Sequence, residues 1–377
     1  MRGLLKLSAI VWLIALTGRL GVAQTPAPDG VTQSALPASA TGEEIYRAAC
    51  ITCHGPDGTG SPRTVVGFHT DLPDFTDCAF GTAEADIDWH AVVKNGGRIR
   101  GLSRSMPAFG DALTDAQIES VIGYVRHFCP DAAWPRGDLN FPRALFTEKA
   151  FPENEVVYTN VVTRGDDAGV GHEIVYERRF GSRDQMEAVV PLDSIKLENG
   201  WQFGLGDIAL AYRRTFVANN RTGTIVAAGG EVAFPTGDST RALGNGYYVF
   251  EPFAMFGQAL PRNAFLQMHG GLEVPSNSTL AAKEAYLRTA LGVTLMADRG
   301  YGRSWSPQVE LLFARPVGGE ASWDVVPQLQ VSLSKLQHVV IAGGVRIPVN
   351  AHGDRSPAIV TYLLWDWFDG PFTSFWK

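Results

Sequence analysis

Apolar residues recur at every second position along most of this chain, from about residue 154 to its C-terminal end. Alternation of this kind gives a β-strand one apolar and one polar face. Twelve such runs follow one another, each bounded by turn residues, so the sequence predicts an antiparallel all-β domain over 154–377. The runs lie at 155–163, 172–180, 185–192, 201–216, 223–234, 246–258, 264–274, 284–296, 306–315, 325–334, 338–348 and 357–367.

The length of these runs favours a membrane barrel over a soluble sandwich. Sandwich strands also alternate, but they are typically about five or six residues long. Several runs here reach ten or more residues, which is the length that a tilted strand needs to cross a bilayer. We therefore expect a barrel of about 12 strands in the outer membrane, with a soluble β-domain as the alternative. Aromatic residues stand near the ends of the runs, as at membrane interfaces: Trp201, Tyr247, Tyr248, Trp305, Trp365, Trp367, Phe372 and Trp376.

The other face of the runs would line the interior of the barrel. Twelve strands enclose too little space for a folded domain of about 90 residues, whose radius of gyration is about 12 Å. We therefore expect any preceding domain to lie at the periplasmic mouth. The inward-facing residues either line a polar channel or form a salt-bridged plug; they are Glu231, Glu251, Gln267, His269, Glu273, Arg288, Glu310, Gln330 and Arg346.

The first 23 residues have the pattern of an export signal. Arg2 and Lys6 precede an apolar stretch, and small residues follow it at Gly21 and Ala23. Arg19 interrupts this stretch before it reaches the roughly 20 residues that a membrane helix needs. We therefore expect a signal peptide at 1–23 instead of an uncleaved anchor. Residues 24–41 are rich in Pro, Ala, Ser and Thr, which is typical of a flexible tether.

The net charge of the chain limits the kinds of molecule that it can bind. The full chain has a formal charge of -7, and loss of three basic residues with the signal peptide would take it to -10. An acidic protein is a poor ligand for nucleic acid, so we expect no nucleic-acid partner. The charge favours a basic redox partner or a cationic substrate.

Residues 42–130 have helical periodicity and predict a small all-α domain. Its last helix begins at Thr114 as N-cap, with Gln117 completing a capping box, and ends before Pro130. Residues 131–153 contain several prolines and no sustained period, so we expect a linker there.

The helical domain contains the motif Cys50-Ile51-Thr52-Cys53-His54, the C-x-x-C-H pattern of c-type haem attachment. Two thiols three positions apart on a helical turn can reach both vinyl groups of one porphyrin, and the next residue offers an imidazole to the iron. A redox C-x-x-C pair or a zinc site is the alternative, but zinc would need a second ligand pair. The motif therefore predicts one covalent haem c.

The second axial ligand of the iron is expected to be Met106. It stands in the loop Ser-Met-Pro-Ala-Phe at 105–109, where proline stiffens the chain beside a thioether. A His/Met pair raises the reduction potential relative to two histidines. His69, His90, His127 or an open position are the alternatives.

With these motifs, residues 42–129 resemble a class I cytochrome c, whose order of first helix, CITCHG, SMPAFG loop and last helix they share. The resemblance covers about a quarter of the chain. It implies that Cys50 and Cys53 form the thioether bonds, that His54 is the proximal ligand and that Met106 is the distal ligand. The other two cysteines, Cys78 and Cys129, are an even pair in an oxidising compartment, so we expect a disulfide, with two buried thiols as the alternative.

Two segments of the β-domain also carry a resemblance. Residues 204–210 (GLGDIAL) and 230–238 (GEVAFPTGD) resemble outer-membrane barrels of the MetA-pathway phenol degradation family. The order of signal, monohaem cytochrome and barrel is similar to that of fused porin-cytochromes.

These features lead to one functional expectation and two alternatives. We expect an exported protein whose role is electron transfer more than catalysis, with its barrel in outer-membrane lipid and its haem domain in the periplasm. There it would face a periplasmic electron donor or acceptor. One alternative is an outer-membrane pore for a small solute with a cytochrome sensing or docking module. The other is a soluble periplasmic redox-enzyme subunit, although the β-domain contains no evident catalytic motif.

Overall fold

The computed structural model describes residues 36–67, 72–163, 168–197, 200–298, 301–334, 337–350 and 355–366. The predicted signal peptide, most of the predicted tether and His69 lie outside these ranges.

The helical domain is built on a close crossing of its first and last helices. Both helices begin with a capping box, Thr41 with Glu44 and, as predicted, Thr114 with Gln117. A Cβ atom on Gly42 would lie 2.1 Å from the carbonyl oxygen of Ser120, so only glycine permits this approach. The helices are α1 (Gly42–Ile45), α2 (Ile51–His54), α3 (Arg63–Val66), α4 (Cys78–Ala83), α5 (Asp86–Asn95) and α6 (Asp115–Val125), with a π-helical turn at Tyr46–Cys50 and 3₁₀ turns at Gly97–Arg100, Arg126–Phe128 and Gly137–Leu139.

The core of this domain is apolar and is closed by a disulfide. Ile45, Ile118 and Val121 are buried between the crossing helices. Cys78 at the start of α4 is bonded to Cys129 after α6, with Cα atoms 5.0 Å apart, which confirms the predicted pairing.

The β-domain is a closed antiparallel barrel with twelve positions, as the sequence predicted. Its strands are β1 (Glu155–Thr163), β2 (Gly169–Phe180), β3 (Asp184–Leu197), β4 (Gly200–Leu205), β5 (Ala209–Asn219), β6 (Thr224–Ala233), β7 (Val249–Leu260), β8 (Ala264–Pro275), β9 (Glu284–Val293), β10 (Leu295–Asp298), β11 (Tyr301–Pro316), β12 (Ser322–Ser332), β13 (Val339–Pro348) and β14 (Ala358–Asp366). Pairing of β14 with β1 closes the ring.

Two barrel positions are each shared by a pair of consecutive strands. Both β4 and β5 pair with β3, and both β9 and β10 pair with β11. Each interruption lies opposite a proline of the neighbouring strand, Pro191 or Pro307, which has no N–H group to donate to the ladder. The predicted runs 201–216 and 284–296 therefore each became two strands in one position.

The two ends of the barrel differ. Short turns at 181–183, 220–223 and 261–263 lie at one end, and longer connections such as 234–248 and 276–283 lie at the other. The helical domain contacts the short-turn end, where His338 Nε2 lies 3.2 Å from Glu84 Oε1. The chain just after this domain also contacts that end, since the Arg183 guanidinium donates to the carbonyl of Ala133 at 2.6 Å. The start of β1 and the end of β14 lie at the same end.

The outer face of the barrel is an exposed apolar surface. Side chains about half exposed include Phe216, Leu291, Trp305 and Val309. A monomeric water-soluble protein rarely exposes so large a contiguous apolar surface, whereas a barrel in lipid requires one. The remaining exposed apolar residues of the strands include Tyr158, Ile174, Tyr176, Met186, Phe203, Leu210, Leu311, Leu329, Ile341, Ile359 and Leu363.

The interior of the barrel is filled by the chain itself. Residues 139–153, here called the lumen segment, lie within the predicted linker and connect the two domains from inside the barrel. The Arg143 guanidinium pairs with Glu155 of β1 and Glu177 of β2, while the Arg143 carbonyl accepts from Tyr362 of β14 at 2.7 Å. Partners on strands from every side of the ring locate this segment in the lumen.

Several buried polar groups fix the lumen segment. The Glu310 carboxylate on β11 accepts from the backbone N–H groups of Leu145, Phe146 and Thr147. Thr215 donates to the carbonyl of Ala150 at 2.9 Å. Of the predicted inward-facing residues, Gln267, Arg288 and Glu310 form hydrogen bonds with this segment. The segment was predicted to belong to a linker, and its filling of the lumen was not predicted.

Candidate haem site

The C-x-x-C-H motif spans the end of the π-helical turn and helix α2. Cys50 closes the π-helical turn and Cys53 and His54 form the last turn of α2. Gly55 ends the helix with a φ of +75°, and the buried hydroxyl of Tyr46 donates to its carbonyl at 2.7 Å. Neither motif cysteine is in a disulfide, although the other two cysteines are bonded. Both thiols are therefore available for covalent attachment.

The His54 imidazole has the properties of a metal ligand. Its ring stacks on Phe75 with centroids 4.8 Å apart, and its buried Nδ1 makes no hydrogen bond. Burial lowers the pKa of His54 to about 4, so the ring is neutral at physiological pH and offers a lone pair.

The loop that carries Met106 is held against the end of α5. The N–H of Gly97 donates to the carbonyl of Met106 at 3.1 Å, and the N–H of Met106 donates to Ser103 at 3.3 Å. A Cβ atom on Gly97 would lie 2.4 Å from the Ser103 carbonyl oxygen, so any larger residue would displace the loop. Gly97 thus permits the close approach that fixes the position of Met106.

One cavity of about 420 Å³ brings these residues together, here called the haem cavity. Cys50, Cys53, His54 and Met106 all line it. The remaining wall is mainly apolar and includes Leu72, Phe75, Trp89, Val93, Phe109 and Val125. Two unbridged thiols, a neutral imidazole and a thioether on one apolar cavity fit a c-type haem.

Two of the three alternative histidines, His90 and His127, lie elsewhere. His90 Nε2 is 3.4 Å from Asp115, and His127 Nδ1 contacts the carbonyl of Gly123 at 2.7 Å. Neither lines the haem cavity. Within the described ranges, no group of three or more His, Cys, Asp or Glu side chains is arranged to hold a metal ion by itself.

One charged part of the cavity wall was missed by the sequence analysis. Glu84 and Asp88, here called the acidic pair, line the cavity together with buried Arg100, which bonds to both. Glu84 also bonds to His338 of the barrel, 254 residues away in sequence. The i, i+4 spacing of the two acids was the only sequence signal, and it is common on exposed helices.

The pKa values of the two carboxyls of the acidic pair are shifted in opposite directions. Burial raises the pKa of Glu84, but the hydrogen bond from His338 and the charge of Arg100 outweigh it and lower that pKa to about 2. Burial, followed by the adjacent Glu84 charge, raises the pKa of Asp88 well above its ordinary value. Of the two carboxyls that share the guanidinium, Asp88 therefore binds a proton more readily than Glu84.

The family comparison identifies the helical domain. Residues 37–125 match the model described as cytochrome C oxidase, cbb3-type, subunit III. These residues form a cytochrome c domain. The match spans less than a quarter of the chain, and the barrel follows it. No curated protein sequence matches this chain.

Several solved structures are similar to the barrel fold. The KdgM porin is 9% identical with a TM-score of 0.40, over 56% of this chain and 99% of the porin. An outer membrane channel from Pseudomonas putida F1 is 12% identical with a TM-score of 0.40, over 60% of this chain and 100% of the channel. LpxR from Salmonella typhimurium is 8% identical with a TM-score of 0.36, over 56% and 100%. Similarity at this level carries no conclusion about function.

No helix among the described residues is both long and apolar enough to span a membrane.

Proposed function

We propose that this protein is a monohaem c-type cytochrome that transfers single electrons and is anchored in the outer membrane by its barrel. The observation that carries the proposal is the convergence of Cys50, Cys53, His54 and Met106 on one apolar cavity of a cytochrome c domain.

Each of these residues has a defined role. Cys50 and Cys53 would hold the haem through thioether bonds, and His54 and Met106 would ligate its iron. The bound haem supplies a one-electron iron couple. The surrounding aromatic and aliphatic side chains exclude water, and the His/Met ligand pair raises the potential of the couple relative to two histidines. Nothing in this arrangement requires an enzymatic step.

The location follows from the two faces and two ends of the barrel. Its exposed apolar outer face suits lipid. Bacterial barrels usually have short periplasmic turns and long external loops, and the cytochrome domain contacts the short-turn end. The haem therefore faces the periplasm, where a basic electron donor or acceptor would suit the acidic chain.

The pore alternative conflicts with the filled lumen. Solute passage would require residues 139–153 to leave an interior where Arg143, Thr147 and Phe151 are almost completely buried. We therefore expect the purified full chain to give no steady ionic conductance in planar bilayers. Stable open-channel currents from the unmodified protein would favour the pore.

The electron-transfer role is tested by spectroelectrochemical titration of the full chain in detergent. We expect a single haem couple with one-electron Nernst behaviour. Cys50→Ala combined with Cys53→Ala should abolish the covalent haem, whereas His127→Gln should leave it intact because His127 lies outside the cavity. A folded wild-type protein without covalent haem would contradict the proposal.

A further inference from the structure

A cluster of titratable groups forms a wall between the haem cavity and the mouth of the barrel. Glu84 and Asp88 of the acidic pair and Arg100 belong to the cytochrome domain. His338 and Asp366 belong to the barrel, in the turn before β13 and at the end of β14. The two domains therefore share one electrostatic cluster beside the proposed haem.

The contacts in this cluster are short. Arg100 Nη2 lies 3.1 Å from Glu84 Oε2, and the second nitrogen of the guanidinium bonds to Asp88. His338 Nε2 lies 3.2 Å from Glu84 Oε1, and His338 Nδ1 lies 3.8 Å from Asp366 Oδ1. Each group thus feels a change of charge on its neighbours directly.

The acidic pair can carry more negative charge than the neighbouring Arg100 balances. Its two carboxyls share one guanidinium, and His338 adds a second positive charge only when it is protonated. Carboxyls and imidazoles, unlike guanidinium groups, change charge in the ordinary pH range of proteins. Closely spaced carboxyls rarely ionise together in a buried site, and one of them binds a proton more readily.

A neighbouring set of charged side chains is electrically balanced. Asp86 pairs with Arg126 and Arg136, and Arg136 also pairs with Asp138. Two acids and two guanidiniums leave no net charge there. The acidic pair, by contrast, lines the haem cavity directly.

Water can reach the acidic pair from the barrel side. A second cavity of about 500 Å³, here called the mouth cavity, lies between the cytochrome domain and the barrel. Glu84, Asp88 and Arg100 line both cavities, and His338 lines the mouth cavity. Its surface includes polar residues such as Asn140 and Ser306. Its other charged residues are Asp138, Arg143, Lys149, Glu155, Arg262 and Asp366.

We propose that the acidic pair, with His338 as its barrel partner, is a redox-linked proton-binding site. When a one-electron donor reduces the haem iron, one carboxylate oxygen of the pair takes a proton from water in the mouth cavity and a new O–H bond forms. Reoxidation by a one-electron acceptor returns the proton to that water. The added electron is a negative charge in an apolar cavity, which favours protonation of the nearest acid.

This inference rests on the proposed haem, and its test is the pH dependence of the midpoint potential of the full chain in detergent. Uptake of one proton with one electron lowers the potential by up to about 59 mV for each tenfold fall in proton activity. We expect wild type to approach this slope within the neutral range. Asp88→Asn and Glu84→Gln should each flatten it. Glu119→Gln, an exposed carboxyl on α6, is the matched control and should retain the wild-type slope.

The barrel's contribution has a separate variant. His338→Gln removes a partner of Glu84 that is positively charged when protonated. The acidic pair should then bind its proton more readily, and the sloping region should move to higher pH. Reduced-minus-oxidised infrared spectra should show a carboxylic acid band that is missing in Asp88→Asn.

Two outcomes would overturn the inference: a wild-type potential independent of pH, or a slope and infrared band that persist unchanged in both carboxyl variants. The second would assign the proton to another group, such as the haem's own carboxylates. If Glu84→Gln does not fold, Asp88→Asn decides. Loss of the proposed function is recognised differently, by the absence of any covalent haem couple in wild type.

Discussion

Removal of the Arg143 guanidinium should release the lumen segment from the barrel wall. Arg143 is buried and its side chain pairs with two carboxylates, Glu155 and Glu177, that are also almost completely buried. Breaking a buried ion pair from one side costs about 3–5 kcal/mol, because the remaining charge is left without its partner. This cost falls on the state in which the segment lies in the lumen.

The expected loss of stability for Arg143→Met lies at the lower end of the range of about 3–5 kcal/mol. Glu155 retains Lys149 at 3.3 Å, and Glu177 retains Arg213 at 3.2 Å. A loss of about 3 kcal/mol corresponds to a roughly 140-fold increase in the population of the released state. Arg143→Met should therefore increase amide hydrogen exchange of residues 139–153 by roughly that factor.

The assay is hydrogen exchange with mass spectrometry on the full chain in detergent. Arg241→Met is the matched control. Arg241 is exposed in the long connection 234–248 and bonds to Gln202 and to the Phe203 carbonyl of β4. It should leave exchange of the lumen segment unchanged. Exchange in Arg143→Met equal to that of wild type would refute the assigned role of this ion pair.

Three further predictions concern the cytochrome domain. Met106→His should lower the midpoint potential, since two histidines stabilise the oxidised iron relative to His/Met; an unchanged potential in redox titration would exclude Met106 as ligand. Replacement of both Cys78 and Cys129 by Ala opens a loop with a separation of 51 residues and should destabilise the domain by about 4 kcal/mol in urea titrations followed by haem absorbance, whereas no shift would contradict the constraint. Because the pKa of Glu84 is lowered to about 2 from 4.5, its stabilisation is present above pH 4.5 and is lost as pH falls towards 2; acid unfolding of Glu84→Gln should lack this part of the transition.

Local patterns predicted the strands and one of the two capping boxes. A period of two marks each barrel position independently of its neighbours, so every predicted run corresponds to one position of the ring. The capping box at Thr114 depends on residues three positions apart and was equally visible. The interruptions opposite Pro191 and Pro307 were not predicted, because the proline lies on a different strand from the break.

The lumen segment and the acidic pair could not be predicted for a related reason. The segment has no periodicity of its own. Its polar partners lie on strands on all sides of the barrel, far from it and from one another in sequence. The bond between Glu84 and His338 joins positions 254 residues apart. Neither residue has a local context that indicates the other.

The central claim combines covalent haem and an outer-membrane barrel in one chain. It is tested most directly by separating inner membrane, outer membrane and soluble fractions and staining each for covalent haem, before and after heating. We expect one haem band in the outer membrane whose electrophoretic mobility changes on heating, as a folded barrel unfolds, and which is absent from the Cys50→Ala, Cys53→Ala double variant. A haem band in the soluble fraction that heating does not shift would contradict the account.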